Sequence, residues 1–496
     1  MSLVQIAAEN RDCLIVYEET REAVVECTAC ADRYLNVASL FFHDIMKIVT
    51  GFILRRNEIA SPTWAPDSSR FRPLRGAPYV GYRDVVGGIQ LEEKEFAPHQ
   101  RRWSRKHRAA AALGTISRPL LPKSAPAAAI GLPSVDTFQL WWFLRSRGVC
   151  VDFPSPGRIP VPDLEPQLLV VERSIEAIFE RLDIPDDPRP LTELVRRHIL
   201  ARVEEGRPTK PPFDVLVTGT LLKLEDRGPA AIARHHGIEV LSVMHGGQFG
   251  AYDEPHMGYG ELTYTSAFVG YGRGEDIGFG ELHYGRSLFD QPDYFPADFE
   301  LVRARFREPN IHPLGDLGAK KVMYVPTSLK GEYRWGPFHD MPDLSYLSWY
   351  RTVLAAFPDA VLKLHPKSIV DPGDLGLQHG LVRGGNLQDC MDVPDVFVFD
   401  CVSTAFTIAA ATEKPIIYCD IGLRNFSPRG RQAVQDRCIW IEADPGATSA
   451  KELLERVVAQ QDVEKHNSFS GCFSLAGADE NSRRVDVVGR VARSLI

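Results

Sequence analysis

At 496 residues, with 44% hydrophobic and 25% charged side chains, the chain has a soluble globular composition and is too long for one ordinary core, so two or three domains are expected. A formal net charge of −8 supplies no basic field of the kind that general nucleic-acid binding needs, which argues against nucleic acid as a partner. Nine cysteines scattered over this length form no disulfide framework, and no secretory leader precedes them, so a reducing cytoplasm is the expected compartment.

In chain order, the run DCLIVYEE reads as a strand, and the lone pair Cys27 and Cys30 reads as core thiols rather than a zinc or redox site. The most apolar window, residues 37–54, is interrupted by His43, Asp44 and Lys47, which predicts a buried amphipathic helix rather than a membrane span. Arg55 and Arg56 follow it and allow an interfacial helix as the alternative. Residues 61–82, rich in Pro, Arg and Gly, read as loop, and the basic run of residues 101–108 reads as a solvated helix face or, alternatively, a contact for anionic lipid or an acceptor phosphate.

From Thr137 the pattern alternates. FQLWWFLRSRG is helical, VCVDF strand-like, and a long helical segment runs through RSIEAIFERL and LTELVRRHILARVEE. FDVLVTG reads as a buried strand, Glu225-Asp226-Arg227-Gly228 as a charged turn, PAAIARHHG as a helix with a glycine stop, and EVLSVM and TSAFVGYG as strands. A turn-rich stretch near residues 309–317 precedes a second series: KVMYV, AVLKL, VFVF, PIIYCD and CIWIEA as strands, with LSYLSWYRTVLAAF and STAFTIAAATEK as helices. Such alternation predicts parallel sheets with helices on both faces. The expected organisation is an N-terminal region (1–136), a first Rossmann-like α/β domain (137–308), a second (309–480), and a C-terminal helix (481–496) that packs back on the first, the two domains facing a cleft.

The candidate site residues fall at strand ends. His245-Gly246-Gly247 follows EVLSVM, where glycines let the backbone approach a ligand and the imidazole serves as a general base; Asp253 or Glu254 in the same loop either orients it or is itself the base. His365-Pro366 ends AVLKL with Lys367 beside it, whereas His312-Pro313 lies in the interdomain turn and reads as structural. Asp400 ends VFVF, and Ser403 and Thr404 stand where a helix N-cap would, so that hydroxyls and free N–H groups are available to a phosphate. Walker and GxGxxG loops and a strand-terminal DxD pair are missing from the sequence, so a metal-independent reaction on a nucleotide-linked substrate, without a further cofactor, is expected.

Over residues 213–423 this arrangement resembles the two-domain GT-B glycosyltransferases, and more narrowly a group acting in bacterial surface-polymer synthesis: CDP-glycerol glycerophosphotransferases, capsule Kdo transferases and bacterial sialyltransferases. The resemblance implies that His365, Pro366, Ser403 and Thr404 hold the nucleotide phosphate, that His245 is catalytic, and that a CMP- or CDP-activated donor meets a glycan or lipid-linked acceptor at the inner face of the membrane. In the sialyltransferases a paired acid and glycine supply the base, and here Glu225-Asp226-Arg227-Gly228 has an inserted residue. A sugar-nucleotide 2-epimerase and a non-catalytic nucleotide-binding scaffold are the alternatives on the same architecture.

Overall fold

The computed structural model describes residues 2–30, 32–60, 125–131, 137–154, 157–244, 249–270, 280–296, 311–327, 337–338, 343–365, 381–382, 387–466, 468–469 and 480–496. His245, Gly246, Gly247, Pro366 and Lys367, the loop of 61–82 and the basic run of 101–108 lie outside them.

The chain opens with helices α1 (Leu3–Cys30), α2 (Val37–Leu40) and α3 (Phe42–Ala60). DCLIVYEE is therefore helix, not strand. Ile6, Asn10, Cys13, Tyr17, Thr20, Val24 and Cys27 are buried at alternating spacings of four and three, a helical stripe that overrides the local β-branched residues. Residues 37–54 form two helices rather than one, broken at Phe41, and they are buried as expected; among the described residues no helix is long and apolar enough to cross a membrane. Asn36 caps α2 by accepting from Ser39 N at 2.8 Å.

Two six-stranded parallel sheets follow. The first takes β1 (Ala127–Ile130), then, after α4 (Thr137–Ser146), β2 (Cys150–Asp152). A small pair, β3 (Ile159–Val161) and β4 (Val203–Glu205), brackets α5 (Leu164–Arg181) and α6 (Arg189–Leu200). The long helical segment is thus two helices, parted by the Pro-rich turn at 185–188 and by Asp183 at φ 49°. The sheet continues with β5 (Val215–Thr218), α7 (Leu224–His235), β6 (Glu239–Val243), α8 (Pro255–Met257), a π-helical turn (Gly258–Leu262), β7 (Ala267–Gly270) and β8 (Asp293–Pro296). Its strand order is β2-β1-β5-β6-β7-β8, so it begins ahead of Thr137.

The second sheet is built from β9 (Val322–Val325), α9 (Asp343–Ala356), β10 (Val361–Lys363), β11 (Leu381–Val382), β12 (Val396–Phe399), α10 (Thr404–Ala410), β13 (Ile416–Asp420), α11 (Pro428–Arg437), β14 (Ile439–Glu442) and α12 (Ala450–Val458). The order β11-β10-β9-β12-β13-β14 is all parallel, and the β9, β12 and β13 strands are wholly buried, as runs such as VFVF and IIYCD require when helices cover both faces. The chain closes with α13 (Glu480–Ser494), which lies against α4: Phe143 fills the space a side chain at Gly489 would need, within 2.2 Å of its would-be Cβ.

The fold is thus two Rossmann-like lobes, joined in three ways. Helix α1, about 42 Å long at 1.5 Å per residue, buries Ile6 in the second lobe's core and Val16 to Cys27 in the first lobe's. The segment after β6 crosses over: Ser427 N donates to Ala251 O (3.0 Å), Asp253 N to Asn425 O (2.8 Å), and Ser427 Oγ to Gly250 O (2.6 Å). Beneath it a single apolar cluster takes Met244, Phe249, Tyr252 and Phe268 from one lobe and Val325, Phe399, Phe406, Tyr418 and Phe426 from the other.

Candidate functional site

In an open parallel sheet, the strands on either side of the point where the order reverses diverge at their carboxyl ends and leave a crevice. In the second lobe that point is β9–β12, because the chain winds from β9 outward to β10 and β11, then returns to β12 and winds the other way. Of the expected site residues, His365 follows β10 and Asp400, Ser403 and Thr404 follow β12, so they share one edge, with Thr327 after β9 between them. With strands roughly 4.8 Å apart, the ends of β10 and β12 stand about 10 Å from each other, a phosphate's reach with its hydrogen bonds. His365 is exposed there. His312 occupies the opposite edge, its N–H bonded to Glu413 O (2.9 Å) ahead of β13 and its ring 3.4 Å from the Glu413 carboxylate.

Ser403 is the N-cap of α10: it is extended (φ −138°, ψ 178°) and its side chain accepts from Phe406 N at 3.5 Å. Thr404 is exposed beside it as the first residue of the helix. Asp400 behaves differently. It caps no helix; Tyr324 OH donates to its Oδ2 and Thr327 N to its Oδ1 at 3.0 Å, and Tyr350 OH secures Thr327 O at 2.7 Å. Burial pushes this carboxyl up to about 6 against those hydrogen bonds. Asp400 therefore ties the two lips of the crevice together and sets the floor on which Ser403 and Thr404 stand.

On the first lobe, residues 245–248 fall between Met244, at the end of β6, and Phe249, already in the shared cluster. The two carboxylates expected to orient His245 or to act as the base hold other groups of the chain. Asp253 accepts from the N–H groups of His283 (2.8 Å), Tyr284 (2.7 Å) and Gly285 (2.8 Å), which fixes the 283–285 loop. Glu254 is fully buried, accepts from Arg424 Nη1 and Asn425 N at 3.3 Å each, and lies 3.3 Å from His256 Nδ1. It is a clamp between lobes. Such buried charged groups look like catalytic groups in sequence because their partners, 30 to 32 residues on for Asp253 and 170 to 171 for Glu254, are invisible locally.

A further carboxyl, Asp226, stands after the strand at the first sheet's reversal point. Glu225-Asp226-Arg227-Gly228 is not a turn but the opening of α7, where acids favour the unpaired N–H groups of a first turn. That helix follows β5 at the first sheet's own reversal point, β1–β5, where Gly131 N meets Val217 O at 2.8 Å and a Cβ on Gly131 would stand 3.1 Å from Thr218 Oγ1. Asp226 is half-buried; burial pushes its carboxyl up to about 7, while Lys223 and Arg227 pull it down. The available signal was an acid three residues into a helix that follows a strand ending in Thr-Gly. Beside it, Arg227 is buried and donates to Asp44 at 2.9 Å, linking this corner to α3.

No protein-family model and no curated protein matches the chain. Among solved structures it is similar to a UDP-glucosyltransferase from Polygonum tinctorium, with 10% identity over 75% of this chain and 100% of that one at a TM-score of 0.31. It is similar to a glycosyltransferase from Streptomyces nogalater, with 14% identity over 75% of this chain and 99% of that one at a TM-score of 0.31. A UDP-GlcNAc 2-epimerase from Neisseria meningitidis gives 8% identity over 74% and 98% at a TM-score of 0.32. Likenesses this distant bear no weight for activity, and the two-lobed fold rests on the chain's own topology.

Proposed function

We propose that this protein is a transferase of the two-lobed glycosyltransferase type, in which a CMP- or CDP-linked donor binds over the carboxyl edge of the second sheet and a glycan or lipid-linked acceptor approaches from the first lobe. The observation that supports this reading above all is the reversal point β9–β12, at whose mouth an exposed imidazole, Ser403 and Thr404 stand on one edge. His365 and the two hydroxyl residues hydrogen-bond the leaving phosphate as its charge grows, so they favour the transition state over the ground state and spare the reaction a metal. The acceptor hydroxyl loses its proton to His245, or to Asp226, whose carboxyl sits near neutrality and so matches the proton affinity a base needs at that pH.

A thermal-shift screen against CMP, CDP, UDP and GDP tests the donor class, since a ligand bound only by the native state raises the melting temperature by mass action. The expected outcome is a cytidine-nucleotide preference. With the donor so identified, His365→Ala lowers turnover by about 10²-fold or more at unchanged melting temperature. Wild-type turnover in that variant removes His365 from the mechanism. Incubation of the donor without acceptor separates transfer from epimerisation: an epimer in place of free nucleotide would replace the transferase reading.

A further inference from the structure

The outer layer over one face of the first sheet is made by α4 and α13, whose inward residues Leu140, Trp141, Leu144, Val485, Val488 and Ala492 are buried against the strands. Their outward face has a different character. Phe138 and Trp142, one helical turn apart, are 52% and 63% exposed. A phenylalanine and a tryptophan left in water on one helical stripe, rather than scattered, form a patch that calls for a covering surface.

The sequence of these two helices is rich in arginine. Over residues 137–148 and 480–496 there are six arginines against two acids, in a chain whose overall charge is −8. Arg490 and Arg493 are exposed on α13, Arg490 paired with Asp486 one turn back, and Arg147 is exposed at the end of α4 with its guanidinium carbon 3.4 Å over the centre of the Phe143 ring. On α4 itself no acid accompanies the aromatics. A second copy of the same face would bring the same excess of positive charge to the interface, which disfavours a symmetric dimer through this patch. An anionic bilayer satisfies both features: Trp and Phe settle at the level of the headgroups, and arginines meet lipid phosphates.

We propose that the outer face of α4 and α13 docks on an anionic lipid surface, with Phe138 and Trp142 inserted at the interface and Arg147, Arg490 and Arg493 around them. The first lobe would then lie against the membrane without any segment crossing it, consistent with the described helices.

The test is flotation of the full chain with vesicles of phosphatidylcholine alone and of phosphatidylcholine mixed with phosphatidylglycerol, at low and high salt. Wild-type protein is expected to float with the mixed vesicles only and to be released by salt. Phe138→Ser with Trp142→Ser is expected to weaken that partitioning by about tenfold or more at an unchanged melting temperature, since both side chains are already exposed. Arg490→Gln with Arg493→Gln weakens it too and flattens its salt dependence. Absence of flotation, equal partitioning to neutral vesicles, or undiminished binding by the aromatic double variant overturns the proposal. So does self-association in solution, abolished by that same variant, with no lipid binding by the wild type.

Discussion

Asp400 shows how a single buried acid can tie two strand ends together. Its folded pKa of about 6 stands above the ordinary 3.8, so the native state holds the proton more tightly than the unfolded chain does. Stability from this group is therefore full below 3.8, falls as pH rises, and is lost above about 6. Asp400→Asn removes the ionisation, and relative to wild type it should gain up to about 3 kcal/mol between those two pH values. Denaturant midpoints of both proteins across that range check this; parallel pH profiles would show that Asp400 does not ionise there. The role of Ser403 was readable from its neighbours in sequence, because an N-cap is a local device. That of Asp400 was not, since Tyr324 and Thr327 lie 76 and 73 residues away and only the pairing of β12 with β9 brings them alongside.

Strands and helices of the two sheets were largely evident from sequence, because strands buried on both faces must be short apolar runs and their helices carry a stripe of period 3.6. The errors have a common origin. In α1 a cluster of Leu, Ile and Val mimics a strand, and in α7 a pair of acids mimics a turn; each is settled by what the element packs on rather than by its own residues. Helix α11 illustrates contact decided by a neighbour. Gly430 lies so close to the crossing segment that a Cβ there would stand 2.1 Å from Ala251 O, a backbone atom that cannot step aside. Gly430→Ala should accordingly destabilise the protein by about 1–3 kcal/mol despite improving helix propensity. A denaturation midpoint at or above wild type would mean that α11 and the crossing segment are not packed as described.

The lobes share a core, a strut and a buried ion pair, which sets this protein apart from two bodies on a free hinge. Opening the interface would expose Tyr252, Phe268, Phe399 and Phe426 together and break the Glu254–Arg424 pair. Unfolding is therefore expected to be one cooperative transition. Glu254→Ala should lower it by about 3 kcal/mol without splitting it, because the unpaired Arg424 burdens both lobes at once. Two separate calorimetric transitions in the variant would show that the lobes fold independently.

On the proposed function, a nucleotide phosphate is held at the carboxyl edge of the second sheet. Calorimetric titration of CDP into wild-type protein, His365→Ala and His312→Ala addresses it directly, because both histidines precede a proline and both are exposed, yet they stand at opposite edges of the same sheet. The expected result is an affinity loss of about tenfold or more for His365→Ala, equivalent to about 1.4 kcal/mol, and none for His312→Ala. Equal affinity in all three proteins would contradict it.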